Sequence, residues 1–188
     1  MDQERVYRQN PRPVGFEVAF RLLPGRLVVD GMRRVDDVRL EGVEHVRLTY
    51  QPRSFSNRVF RTKLVLKDGK RVNLTSLSWR SMLEARSQDA EYGAFVRALL
   101  SEIGRVNPAC RFVAGRPPVI WLLVALFSAA SLIAIAAFAW QAFSQGANAV
   151  AAFAAFLLAA GIWQLEPLVR LNRPRRFAPD APPADLVP

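Results

Sequence analysis

The residues that could take part in catalysis or metal binding are few and do not form a recognisable set. The chain has one histidine, His45, and one cysteine, Cys110. A Ser-His-Asp triad or a zinc site is therefore hard to assemble from this chain. The adjacent carboxylates of Asp36 and Asp37 either alternate across a strand or lie in a turn, which makes them a poor metal site. We expect no catalytic, cofactor or metal site, and hence no enzyme activity.

Basic residues are the only charged group abundant enough to form a binding surface. Lys and Arg number 26 against 16 Asp and Glu, which gives a formal charge of +10. Such a surface suits anionic lipid headgroups or nucleic acid, and the apolar runs described next favour lipid and no nucleic acid. The candidates for contact with lipid or a protein partner are Arg53, Arg58, Arg61, Lys63, Lys67, Lys70, Arg71, Arg116, Arg173, Arg175 and Arg176. The alternative is that the strand residues among them only form the solvated face of a sheet.

Two long apolar runs, residues 119–140 and 147–165, contain no charged residue. A bilayer core about 30 Å thick is crossed by about 20 helical residues, so each run is long enough to span it. Only six residues separate the runs, which predicts a transmembrane helical hairpin. Because the spans hold no ionisable group, the pattern argues against a proton or ion pathway.

The flanking arginines predict the orientation of this hairpin. Arg111 and Arg116 precede the first span, Arg173 and Arg176 follow the second, and the turn between the spans has no charge. The positive-inside rule then places both termini of this multi-pass membrane protein in the cytoplasm.

A line of small residues runs along the second span. Ala147, Ala151, Ala155 and Ala159 repeat at every fourth position. Small residues let helix backbones approach closely, so we expect this line to pack the two spans together. Contact with a homo-oligomer or a partner is the second interpretation.

The part of the chain before the spans has the pattern of several strands followed by one helix. Residues 43–51 alternate between apolar and polar, and residues 58–67 and 71–77 flank the turn signal Asp68-Gly69, which predicts a β-hairpin. One apolar stripe predicts an amphipathic helix over residues 89–104, formed by Tyr92, Phe95, Val96, Leu99 and Ile103. The fold class is therefore α+β.

These patterns divide the chain into six parts. The sequence predicts a flexible arm (1–15), a cytoplasmic domain (16–106), a short linker (107–118), transmembrane helices (119–140 and 147–165), and a Pro-rich irregular tail (171–188). The two prolines that end the linker restrict it, so the domain should lie close to the bilayer.

The order of residues 43–50, 63–74 and 92–103 resembles the bacterial pleckstrin-homology-like (PH-like) domains of small membrane proteins, and the whole layout resembles uncharacterised two-span proteins of alphaproteobacteria. The resemblance implies an antiparallel PH-like β-sandwich or barrel with a C-terminal amphipathic helix, used for binding or scaffolding. We therefore predict a non-enzymatic adaptor or scaffold of the bacterial inner membrane, whose basic cytoplasmic PH-like domain contacts a protein partner or anionic lipid. The alternative is an accessory or assembly subunit of a larger respiratory or photosynthetic membrane complex, with the hairpin as its interface.

Overall fold

The computed structural model describes residues 4–32, 34–51, 58–81 and 84–188. They form an α+β protein with antiparallel and mixed sheets and two long apolar helices near the C-terminus. The chain forms two compact units. The sheet unit comprises the described residues up to Gly115 together with Arg175–Pro188, and the helical unit comprises Arg116–Pro174.

The elements follow one another along the chain, with a short 3₁₀ turn at Leu40–Gly42 between β4 and β5. The strands are β1 Arg5–Gln9, β2 Val18–Leu23, β3 Arg26–Gly31, β4 Arg34–Arg39, β5 Val43–Tyr50, β6 Phe60–Leu66, β7 Arg71–Thr75, β8 Leu77–Trp79, β9 Ala85–Ser87, β10 Arg111–Ala114 and β11 Arg175–Arg176. The helices are α1 Asp89–Val106, α2 Pro118–Ser144 and α3 Asn148–Leu171.

The first sheet has the order β1-β2-β3-β4, with antiparallel neighbours throughout. Its first strand lies in residues 1–15, where the sequence predicts a flexible arm. The structure differs because Tyr7 is only 2% exposed and its hydroxyl donates a hydrogen bond of 2.6 Å to the Thr75 carbonyl. Pairing with β2 and burial of this one aromatic ring order a segment whose other residues are mostly polar.

The second sheet has the order β11-β10-β5-β6-β7. Its β6–β7 hairpin turns at Asp68-Gly69, as the sequence predicts, and Gly69 adopts the positive φ of 81° that this turn favours. Residues 107–118, which the sequence predicts to be a linker, contain β10. That strand pairs in parallel with β5, and Phe112 and Ala114 are buried. Four residues are too few for a period to be recognised in the sequence.

Helix α1 covers the core side of the sheets, and all five residues of its predicted apolar stripe are buried. The hydroxyl of Tyr92 is hydrogen-bonded to Thr62 of β6 at 2.6 Å, which satisfies two polar groups inside the core. The sequence prediction of this helix is confirmed.

The tail that follows α3 packs on the sheet unit. The sequence predicts an irregular tail, but residues 175–176 form β11, which pairs with β10, and Leu186 and Val187 are each 1% exposed. The guanidinium of Arg97 donates hydrogen bonds to the carbonyls of Val187 and Pro188. The tail therefore supplies part of the core.

Two glycines of α1 permit this close approach. A Cβ added at Gly93 would lie 1.7 Å from the carbonyl oxygen of Pro188, and one added at Gly104 would lie 2.5 Å from the Pro179 ring. Both distances are far below van der Waals contact, so a larger side chain at either position requires the tail to move.

Helices α2 and α3, with 27 and 24 residues, are long and apolar enough to cross a membrane. They pack together as a hairpin, and their outward surface consists of exposed Leu, Ile, Val, Phe and Trp side chains, unlike that of a helix in a soluble core. At the base of the hairpin the Trp121 indole donates a hydrogen bond of 2.8 Å to the Val169 carbonyl, and the Arg116 amide donates one of 3.0 Å to Asn172.

The contact between these two helices differs from the predicted alanine line. Of its four members only Ala151 is buried, whereas Ala147, Ala155 and Ala159 are exposed. The less exposed positions of α3 instead include a series in steps of three and four, as in a coiled coil: Ala151, Ala154, Leu158, Gly161, Leu165 and Leu168. A strict fourth-residue line drifts around a helix of 3.6 residues per turn, so it cannot stay in one contact.

Candidate functional site

One face of the second sheet carries a concentration of positive charge. Residues directly opposite one another in adjacent strands place their side chains on the same side of a sheet. Arg47 of β5 lies opposite Lys63 of β6 and opposite Val113 of β10, which in turn lies opposite Arg176 of β11. One row across four strands thus carries three cations.

Neighbouring rows on the same face add further basic groups. Arg111 lies opposite His45, and Arg71 lies opposite Val65, which is also the partner of His45. Arg61 lies opposite Thr49. We call this surface the basic face and define it by its seven titratable members: His45, Arg47, Arg61, Lys63, Arg71, Arg111 and Arg176.

Negative charge on this face is sparse. Glu44 forms an ion pair with Arg111. Arg47 donates a hydrogen bond of 3.0 Å to the Gly115 carbonyl, and Arg61 donates one of 2.9 Å to the Asn73 side chain, so neutral groups orient both. Within the described part of the chain, the other members of the basic face form no ion pair.

Burial, and after it the nearby positive charges, lower the pKa values of two members. Burial lowers the pKa of the Lys63 ammonium, and the nearby cations Arg71, Arg61 and Arg47 lower it further. The pKa of His45 is lowered by burial and then by Arg47, while Glu44 opposes the shift. A cationic surface of this kind attracts anions, and an anion that binds there would relieve the repulsion.

The other predicted contact residues lie elsewhere. Arg58 is exposed just before β6, and Lys67 and Lys70 are exposed at the β6–β7 turn. Arg175 is engaged with Asp185 of the tail. Arg116 and Arg173 belong to the helical unit, and Arg53 lies outside the described residues.

Three members of the basic face, His45, Arg47 and Arg111, are not among the contact residues that the sequence predicts. Alternation in residues 43–51 places His45 and Arg47 on the polar side of a strand, but only the register brings Arg47 beside Lys63. Arg111 joins the face because β10 belongs to the sheet. A pairing model for β5 and β6 could have found Arg47, whereas the parallel pairing of β10 left no local signal.

Neither a protein-family model nor a curated protein sequence matches this chain. The interpretation of the site therefore depends on the geometry and charge of the basic face.

Other chemistry is not indicated in the described residues. No group of three or more His, Cys, Asp or Glu residues is arranged there to hold a metal ion. Cys110 is buried, and burial raises the pKa of its thiol to about 11, so the thiolate that would act as a nucleophile is scarce at neutral pH.

His45 provides a test of the electrostatics of the basic face. Because the folded pKa lies below the unfolded value of 6.5, the unfolded chain binds the proton more readily. Stability from this residue is present above pH 6.5 and is lost as the pH falls from 6.5 to the folded pKa. His45→Gln should abolish this loss in urea unfolding between pH 7 and pH 5.5.

His45 is also the only histidine, so its imidazole proton resonances are unambiguous in an NMR titration. We expect the pKa of His45 to rise when the full chain is moved from zwitterionic to anionic nanodiscs, since anions near the basic face favour the imidazolium. An unchanged pKa would contradict contact between this face and the lipid.

Proposed function

We propose that this protein is a non-enzymatic membrane-anchored adaptor whose basic face contacts anionic lipid headgroups. The observation that carries the proposal is the row of Arg47, Lys63 and Arg176 across neighbouring strands, with little acidic compensation. Each cation near an anionic membrane surface contributes only about 1 kcal/mol of binding free energy. The basic face therefore binds the membrane usefully only when several of its cations act together.

The element order supports a PH-like fold for the sheet unit. Four antiparallel strands form the first sheet, β5, β6 and β7 follow in the second, and α1 follows the short β8–β9 pair. In this proposal β10 and β11 are an addition to that arrangement. A binding domain of this kind uses its surface to recognise a partner and needs no catalytic group.

The connection between the units supports the proposed orientation. β10 leads into α2, α3 leads into β11, and β10 and β11 are hydrogen-bonded neighbours. Two spans return the chain to the side of the membrane that it left. With Arg116 and Arg173 next to the spans, the positive-inside rule favours the cytoplasmic face of a bacterial inner membrane for the sheet unit.

Vesicle binding without the hairpin tests the lipid contact. In the excised chain, Asn-Gly replaces residues 115–174 so that β10 and β11 form an ordinary two-residue β-hairpin. Replacement of Arg47, Arg61 and Lys63 by Glu should weaken its binding to phosphatidylglycerol vesicles by about 100-fold, since about 3 kcal/mol or more is lost. Co-sedimentation measures the change.

A control variant that has the same net charge as this triple variant separates the effect of the basic face from the effect of total charge. Arg5, Arg80 and Arg86 are exposed on the sheet unit and lie outside the basic face. Their replacement by Glu should leave most of the vesicle binding intact. Equal losses in the two triple variants would refute a specific role of the basic face.

A second candidate function uses the hairpin as an interface in a larger membrane complex. Ala147, Ala155 and Ala159 remain exposed, and a groove of about 500 Å³ is lined by five alanines together with Trp140 and Phe143. Small exposed residues in a span allow another helix to approach closely. Stoichiometric co-purification with a large complex from native membranes, lost on Ala155→Phe, would favour this function.

A further inference from the structure

A cleft of about 590 Å³ opens between β4 and the β6–β7 turn of the sheet unit. Its volume lies within the range of roughly 300–1,000 Å³ that ligand sites occupy. The apolar part of its wall is formed by Phe20, Val29, Val38, Leu66 and Val72. Phe20 and Val29 are direct partners in adjacent strands, so their side chains lie together on the core side of the first sheet.

The charged part of the wall is unevenly paired. Its three carboxylates are each within an ion pair, Asp36 with Arg34 at 2.8 Å, Asp37 with Arg26 at 3.3 Å, and Asp68 with Lys70 at 3.7 Å. The remaining cations of this wall are Arg39, Lys67 and Arg71, and they form no ion pair within the described part of the chain. The cleft therefore presents cations that an acidic ligand group could pair with, and these cations lie beside an apolar surface.

Both strands that border the cleft are sheet edges in the described chain. β4 ends the order of the first sheet, and β7 ends that of the second. The side chain of Gln9 shows which backbone groups of β7 face outward, because it accepts from the Thr75 amide at 2.7 Å and donates to the Asn73 carbonyl at 3.3 Å. Outward groups recur at every second residue of an antiparallel strand, so those of Arg71 continue the same row.

We propose that the cleft binds an extended peptide of alternating apolar and acidic residues, which adds to β7 as a sixth strand. The peptide would continue the row of backbone hydrogen bonds that Gln9 begins. Alternate side chains of a strand point to opposite faces, so one set would contact the apolar wall and the other would approach Arg71 and the neighbouring cations. This inference deepens the proposed adaptor role by giving it a class of protein partner.

The β6–β7 turn, which is flanked by the cleft cations Lys67 and Arg71, is held in place by backbone hydrogen bonds. The amide of Lys67 donates a hydrogen bond of 2.9 Å to the Gly42 carbonyl, and the amide of Leu66 donates one of 2.9 Å to that of Lys70. Because these bonds fix the backbone at Leu66 and Lys67, the turn loses little conformational freedom when an acidic group binds, which favours affinity.

The test uses the full chain in zwitterionic nanodiscs and a fluorescein-labelled peptide, acetyl-Val-Glu-Val-Glu-Val-amide. We expect saturable binding by fluorescence anisotropy, weakened about tenfold or more by Arg39→Glu with Lys67→Glu. The same peptide with N-methyl groups on alternate amides should also bind about tenfold more weakly, because it cannot pair with β7. Equal affinity for the methylated peptide, or for a version with Lys in place of Glu, would overturn the proposal.

Arg71 belongs both to the cleft and to the basic face, so two further measurements use residues of the cleft alone to separate the two surfaces. In the full chain, Arg39→Glu with Lys67→Glu should leave unchanged the rise in the pKa of His45 between zwitterionic and anionic nanodiscs. If these two substitutions abolish that rise and leave peptide binding intact, the cleft is a lipid site and the peptide proposal is wrong. A larger side chain in the wall, Val72→Phe, should weaken peptide binding while urea unfolding shows that the domain still folds.

Discussion

The excised chain, with Asn-Gly in place of residues 115–174, should fold as a water-soluble domain, whereas a chain that ends at Pro117 should not. β10 and β11 are already antiparallel neighbours, with Ala114 opposite Arg175, so a two-residue turn closes them without strain. The shorter chain lacks β11 and the buried side chains of Leu186 and Val187. Their loss removes about 3–5 kcal/mol, a large part of the stability of a typical domain.

Circular dichroism and urea unfolding of both chains measure this difference. The excised chain should show one cooperative transition, and the chain ending at Pro117 should be unfolded or aggregated. If the shorter chain unfolds at the same urea concentration as the excised chain, the tail contributes nothing to the core and the packing on α1 is wrong.

Gly93→Ala should destabilise the excised chain by about 1–3 kcal/mol, the usual cost of overpacking. The added methyl group would lie 1.7 Å from the Pro188 carbonyl, so the tail must move away from α1. Movement of the tail also weakens the two hydrogen bonds that Arg97 donates to it. The midpoint of urea unfolding gives the change in stability.

A matched background makes this prediction sharper, because the sign of the effect should reverse. In an excised chain that also lacks Pro188 but keeps Leu186 and Val187, the methyl group no longer meets the Pro188 backbone. Alanine is then the better helix former, and Gly93→Ala should stabilise this chain by about 0.5–1 kcal/mol. The same sign in both backgrounds would show that Gly93 does not act through the tail.

The sequence predicts elements whose pattern is long enough to repeat. The stripe of Tyr92 to Ile103 extends over three turns of helix, and the β6–β7 strands flank a turn signal, so both are recognised from one chain. The two apolar helices follow from composition and length alone. Burial of one face dictates the pattern of the amphipathic helix and of the strands, whereas the two long helices are apolar along their whole length.

The elements that the sequence misses are short or are ordered by contacts distant along the chain. β1 is fixed mainly by one buried tyrosine, and β10 has four residues. The tail is rich in proline, which is typical of irregular segments, yet it packs on α1 and its Leu186 and Val187 are buried, which no local pattern encodes. The basic face has the same origin, because charges from five strands meet only through the register of the sheet.

The pairing of β10 with β11 also fixes an order of events during synthesis. Residues 175–188 leave the ribosome after the whole hairpin has been made, so the sheet unit lacks its last strand and two core side chains until then. Insertion of the spans can therefore begin while the domain is still incomplete. Completion of the fold reports that the hairpin has been fully synthesised, and a ribosome stalled within α3 would leave an open sheet edge for chaperones to protect.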